Sequence, residues 1–289
     1  MSFYDRGIMD SLDRLGDLTG KTSGEILRDR AGSLGRYLAE ATQPVAGMDT
    51  ANPDGGSAAA KNLGRAAVAR DIRKVYISPA SIFAELKNKP TFGPSAQNYN
   101  AGTVLARRFY KLLKSGDLAG AKAIMRAAGV KSSHLELILW DGGAIHRRSR
   151  NKRGRIGRGF SPYVVSDAKA VKKYTADRQK NVGFAKSGWV HAAEEISGKK
   201  HGGTAAWIKA VHGPGKGRDM TGDLRNPRIS LTNQVRYISA ILDEKYELRA
   251  MGAFERSLQK EIAVKLEHLA KKEATLANRA GGNQQRRAA

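Results

Sequence analysis

Two short stretches and one long one carry residue types that do chemistry in other proteins. Gly20-Lys21-Thr22 has the ending of a phosphate-binding loop, in which backbone amides and a lysine hold phosphate oxygens. The glycine that should open such a loop is missing, because Leu15 stands in its place, and no hydrophobic strand leads into it. Gly213-Pro214-Gly215-Lys216-Gly217 also fails, since no Ser or Thr follows Lys216. His191, His201 and His212 are close in sequence, but no HExxH spacing accompanies them. Glu194 and Glu195 are adjacent, and adjacent side chains on a helix point in different directions, so they form no acid–base dyad. There is no GxSxG and no cysteine, hence no serine elbow, disulfide or thiolate site. This reading assigns no catalytic residue, metal or cofactor, and the chain is not expected to be an enzyme.

The long stretch is different in kind. From His146 to Arg158 the chain reads HRRSRNKRGRIGR, with Arg147, Arg148, Arg150, Lys152, Arg153, Arg155 and Arg158 and no acid among them. Such a cluster cannot enter a core without losing its hydration, and it repels itself unless something anionic lies against it. Guanidinium groups here fit phosphate oxygens or an acidic subunit surface. Aromatic residues for base stacking are nearly absent, which argues against sequence-specific reading. A merely solvated basic loop is the plain alternative. The whole chain shares the bias: its net charge is +24 over 289 residues, a balance that suits polyanionic partners.

The elements that must hold these residues read as α+β, mainly helical, with a small sheet, a long C-terminal helix and an extended N-terminal arm. Residues 1–70 carry short amphipathic pieces interrupted by glycines at 16, 20, 24, 32 and 35. They are expected to form an arm that takes its order from a neighbour, or a poorly ordered segment. A helical region is expected over 71–145, with an apolar run at Val75–Ile77, a capped helix over Ala80–Lys87, another over Ala101–Ser115 and a third from Asp117 to Ala128. Leu135–Trp140 is a strand or a helix end. A basic loop occupies 146–160, and a connector-like α+β domain 161–280. Within that domain a short strand is expected at Pro162–Val165, then one helix from Ala168 to about Ile196, with Gly183 and Gly188 inside it to permit close packing. HGPGKGRDMTGD is expected to be a flexible loop, and Arg228–Asn233 a half-buried strand. Met251, Phe254, Leu258, Ile262, Leu266, Leu269 and Leu276 mark a final helix over about Asp243–Asn278. The last segment, 281–289, is expected to be a mobile tail. No run of about 18 apolar residues is present to span a membrane.

From about Tyr163 onward the order of features is familiar. A helix carries Val182-Gly183-Phe184-Ala185-Lys186-Ser187-Gly188-Trp189, a Gly-rich segment holds Ala206-Trp207-Ile208, and Ile229–Tyr237 precedes the long helix. This resembles the minor virion proteins of tailed bacteriophages, in particular neck, head–tail joining and tail-completion proteins. In that group a strand with an Asn-x-Val-x-Tyr ending precedes a long C-terminal helix, and the matching residues are Asn233, Val235 and Tyr237. The resemblance covers less than half of the chain. It implies a ring-forming structural subunit of the virion, assembled in the host cytoplasm. Its partners would be copies of itself, other virion proteins such as portal or tail subunits, and packaged DNA. A sequence-independent nucleic-acid-binding protein is the alternative. A virion-borne nuclease or lytic enzyme would need convergent acids or histidines that the sequence does not display.

Overall fold

The computed structural model describes residues 6–47, 54–88, 101–150, 156–157, 159–200, 203–223, 227–242 and 244–287. The chain divides into two compact units: a split unit, Met1–Lys61 with Gly183–Ala289, and a central unit, Asn62–Val182. This division replaces the expected partition at 70, 145, 160 and 280.

The split unit begins with α1 (Arg6–Thr19) and α2 (Ser23–Ala41). The Gly-Lys-Thr tripeptide is the junction between them. Gly20 ends α1 with φ +67°, a conformation that side chains resist. Thr22 then opens α2 with a reciprocal cap, its hydroxyl accepting from Glu25 N while the Glu25 carboxylate accepts from Thr22 N. The described part of residues 1–70 is therefore helical and packed, not an extended arm. Ile8, Leu12, Leu15, Ile26, Leu27, Leu34 and Leu38 are buried in the main core of this unit. Several of the glycines read as interruptions are contact points. A Cβ on Gly35 would lie 2.6 Å from Ala193 Cβ and 2.8 Å from Trp189 O.

Those two partners sit on α9 (Phe184–Ser197), which is buried along nearly its whole length. One side of α9 meets α2. The other meets an antiparallel hairpin of β4 (Gly215–Met220) and β5 (Arg228–Asn233), so the glycine-rich segment expected to be a flexible loop is in large part a strand. Added Cβ atoms on Gly213, Gly215 and Gly217 would lie 1.8, 1.8 and 2.2 Å from the carbonyl oxygens of Phe184, Gly188 and Ala192. Every second residue before and along the strand thus faces a helix residue four further on, backbone against backbone. Short helices α10 (Ala206–Lys209) and α11 (Ile238–Ile241) complete the connections. Trp189 is buried in the core, and Trp207 packs against it partly buried. Their indole N–H groups donate to Thr42 Oγ1 and Gly56 O.

The long final helix is α12 (Glu244–Arg287). Ala250, Phe254, Leu258 and Ile262 pack into the core, while Val264, Leu266 and Leu269 beyond them are exposed. Its backbone runs past Asn278 through Arg287, so most of the expected mobile tail is helical.

The central unit contains α3 (Ala58–Arg73), whose first turn belongs to the split unit, and a parallel three-stranded sheet. Strands β1 (Tyr76–Ile77), β2 (Leu137–Ile138) and β3 (Tyr163–Val165) lie in the order β1–β3–β2. The β1-to-β2 crossover holds α4 (Pro79–Lys87), α5 (Ala101–Ser115) and α6 (Leu118–Ala127). Ile77, Val164 and Leu137 are in register on one face and pack against these three helices. Tyr76, Ile138 and Val165 belong to a second cluster, with Ile72 of α3, Ile145 of α7 (Ala144–Arg148), and Val171 and Tyr174 of α8 (Ala168–Lys180). The single helix expected over 168–196 is two helices. The break falls at Asn181–Gly183, where Gly183 has φ +101°. Mainly helical α+β architecture with a small sheet and a long C-terminal helix agrees with the sequence reading.

Candidate polyanion-binding surface

The positive charge is not shared evenly between the units. The central unit holds 25 of the 51 Lys and Arg but only 7 of the 27 Asp and Glu, so it carries 18 of the 24 net charges. Its seven acids are Asp71, Glu85, Asp117, Glu136, Asp141, Asp167 and Asp177. Four of these are engaged by backbone amides at helix starts. Asp117 accepts from Gly120 N, Asp141 from Gly143 N and Ile145 N, Asp167 from Ala170 N, and Glu85 from Lys131 N. Among the described residues of this unit, the basic side chains in ion pairs are Lys122, Arg150 and Lys180, besides the imidazole of His146. Asp71, Glu136 and Asp177 are the carboxylates in these pairs, and most of the other described cations of the unit are exposed.

Local sequence explains where they face. α8 buries no residue fully and exposes Lys169, Lys172 and Lys173. α3 exposes Arg65, Arg70 and Arg73, and Lys74, the next residue, is exposed as well. The two helices are tied by Gln179 Nε2, which donates to Arg65 O at 2.9 Å.

α7 brings in the start of the basic block, which is a helix and not a loop at this point. Arg147, Arg148 and Arg150 are exposed. Arg147 donates to Gly142 O at 3.0 Å, and Arg150 donates to Asp71. Between them His146 is buried and fixes α7 to both neighbours. Its Nε2 lies 3.3 Å from Asp71 Oδ2, and its Nδ1 lies 3.1 Å from the Tyr174 hydroxyl. Burial pushes the Asp71 carboxyl up, but the hydrogen bond to His146 and the Arg150 charge outweigh it and hold the group below the usual range. Tyr76 and Asp141 close the other side. The Tyr76 hydroxyl donates to Asp141 at 2.7 Å and accepts from His146 N, and burial pushes its own ionisation upward. These contacts satisfy each polar group, so the network positions α7 and leaves the guanidinium groups at the surface. Lys152, Arg153, Arg155 and Arg158 lie outside the described residues.

The Asn-x-Val-x-Tyr residues are in the split unit and do separate jobs. Asn233 is buried. Its Nδ2 donates to Ala185 O at 2.6 Å and its Oδ1 accepts from Val235 N at 3.1 Å, joining the end of β5 to the start of α9. Val235 is core, whereas Tyr237 is 46% exposed. The structure gives Asn233 and Val235 a folding role and brings neither near a constellation of reactive groups.

Sequence reasoning missed Lys186, a fully buried lysine on α9. Its ammonium donates to Ala39 O at 2.8 Å and to Thr42 O, carbonyls at the end of α2 that lack helical partners. Burial pushes its pKa down to about 7, against the pull of Glu40 and Asp54. A neutral amine keeps two N–H donors, one for each carbonyl, so deprotonation costs neither bond. The folded value lies below the unfolded one, so between pH 7 and about 10.5 the unfolded chain holds a proton that the folded chain releases. Stability from this group rises with pH across that window, and the penalty is full below pH 7. Relative to Lys186→Met, the wild type should gain stability by about 1 kcal/mol per pH unit from pH 7 to 9, measured by urea unfolding. Parallel pH profiles for the two proteins would refute this.

Among the described residues no group of three His, Cys, Asp or Glu gathers as a metal site, and no helix is long and apolar enough to cross a membrane. No family model, curated protein or solved structure matches the chain.

Proposed function

We propose that the protein is a structural, DNA-contacting subunit of a tailed-phage particle, of the neck or head–tail connector kind. The observation that carries the DNA contact is the charge partition: the central unit has 18 of the 24 net positive charges, and its few acids serve mainly as caps. Contacts of this type read phosphate and not base edges, which suits a surface that meets a genome of any sequence. The split unit, with its well-packed core and the exposed end of α12, is the part assigned to subunit assembly. The resemblance over Tyr163 to the C-terminus supports the placement in a virion.

The test has two arms. Binding of the full chain to a mixed-sequence duplex should weaken steeply between about 50 and 200 mM salt, with a log–log slope of about −0.9 per phosphate neutralised. Electron microscopy of the purified chain should show closed rings, or particles lacking it should fail to join heads to tails. DNA binding without rings, and with joining intact, would favour the free nucleic-acid-binding protein. Salt-independent or absent binding would overturn the DNA contact.

A further inference from the structure

His191 and His212 are 21 residues apart, with the end of α9 and all of α10 between them, but they meet in the split unit. His191 lies on α9, and His212 lies just before Gly213 and β4. The two imidazoles are nearly parallel, at 18°, with ring centroids 5.1 Å apart. His191 Nε2 and His212 Nδ1 are separated by 3.3 Å. Two nitrogens of a tetrahedral centre with bonds of about 2.0–2.1 Å lie about 3.3 Å apart, so the spacing already matches shared coordination.

The protonation states are arranged to suit it. His191 Nδ1 is 3.0 Å from Gly213 O, which can only accept. The proton of His191 therefore sits on Nδ1, and Nε2 presents its lone pair toward His212. A ligating histidine is commonly held in this way, its second nitrogen donating to a backbone carbonyl. His212 is exposed, so its ring proton can move from Nδ1 to Nε2 when Nδ1 becomes a ligand.

The backbone beneath the pair is pinned on three sides. Gly213 N donates to Ser187 Oγ at 2.7 Å, Gly213 O accepts from His191, and a Cβ on Gly213 would lie 1.8 Å from Phe184 O. Pro214 O accepts from Gln234 N at 3.0 Å. His212 thus extends from a fixed point and need not be ordered by the ligand.

We propose that His191 and His212 bind a divalent transition-metal ion of the imidazole-preferring class, such as Zn²⁺, Ni²⁺ or Cu²⁺. No third His, Cys, Asp or Glu joins them among the described residues, so water completes the coordination. The ion would clamp the approach to β4 onto α9, which stabilises the folded split unit by mass action.

Calorimetric titration of the untagged full chain with Zn²⁺ tests this. One saturable ion per chain is expected, with a rise in the unfolding midpoint of the split unit. His212→Gln should weaken binding by about tenfold or more while leaving circular dichroism unchanged, because His212 is exposed. His134→Gln, in the central unit, should bind as the wild type does. No saturable binding by the wild type, or unchanged binding by His212→Gln, would overturn the site.

Discussion

Gly215→Ala should destabilise the split unit by about 3 kcal/mol or more. The reason is geometric. The new Cβ would lie 1.8 Å from Gly188 O, and the obstacle is backbone, which no rotamer change can move aside. Relief requires β4 to lift from α9. That would open the contacts at Gly213 and Gly217 as well, and would disturb the Asn233 bond to Ala185 O. A loss of this size is a large fraction of a domain's usual stability. Gly222→Ala is the matched control, since nothing lies within 4 Å of its added Cβ and the residue is exposed. It should change stability by less than about 0.5 kcal/mol. Thermal unfolding followed by tryptophan fluorescence reads both, because Trp189 and Trp207 lie in this unit. Equal midpoints for the two variants would show that strand and helix backbones do not touch.

Replacing Lys169, Lys172, Lys173, Arg147 and Arg148 by Gln should weaken duplex binding by about a hundredfold or more near 0.1 M salt. Each of these cations that touches phosphate also removes about 0.9 from the log–log salt slope, so slope and affinity must fall together. Folding should be unaffected, because all five are exposed and α8 has no fully buried residue. The comparison is a triple Gln variant of Lys209, Lys216 and Arg218, exposed cations of the split unit. It should leave the slope nearly unchanged. Filter binding with a mixed-sequence duplex at several salt concentrations measures both quantities. An unchanged slope in the five-site variant would remove α7 and α8 from the DNA-contacting surface.

The basic block from His146 to Arg158 was legible because charge is a local property of the chain, but its membership of a larger cationic unit was not. Most of the central unit's cations come from α3, α5, α7 and α8, which are far apart in sequence. Only the division into units shows that they belong to one body depleted of acids. The sequence also leaves no trace of what its acids do. Asp117 is identifiable as a cap, whereas Asp141 becomes one only when Gly142 and Gly143 turn with positive φ and bring the amides of Gly143 and Ile145 to its carboxylate. His146 reads as the first member of a basic cluster, yet it is buried against Asp71 and Tyr174, at separations of 75 and 28 residues. The Asn233 side of the motif was visible as a pattern. Its physical content, a carboxamide joining β5 to α9, needed the tertiary contact.

By itself the sequence determined the helical character, the α12 stripe, the sign of the charge, and the caps of α4 and α6, where the Ser78 hydroxyl accepts from Ala80 N and the Asp117 carboxylate from Gly120 N. Each depends on neighbours within a few residues, through periodicity or a side chain reaching its own backbone. Tertiary structure decided what the glycines mean. Gly20 and Gly183 bend the chain, whereas Gly35, Gly188 and Gly215 admit a second backbone, and composition cannot tell these cases apart. It also decided that residues 6–47 join the C-terminal segment in one core and that His191 meets His212. Such pairings are selected by burial and close approach between distant segments, and no local rule of the chain encodes them.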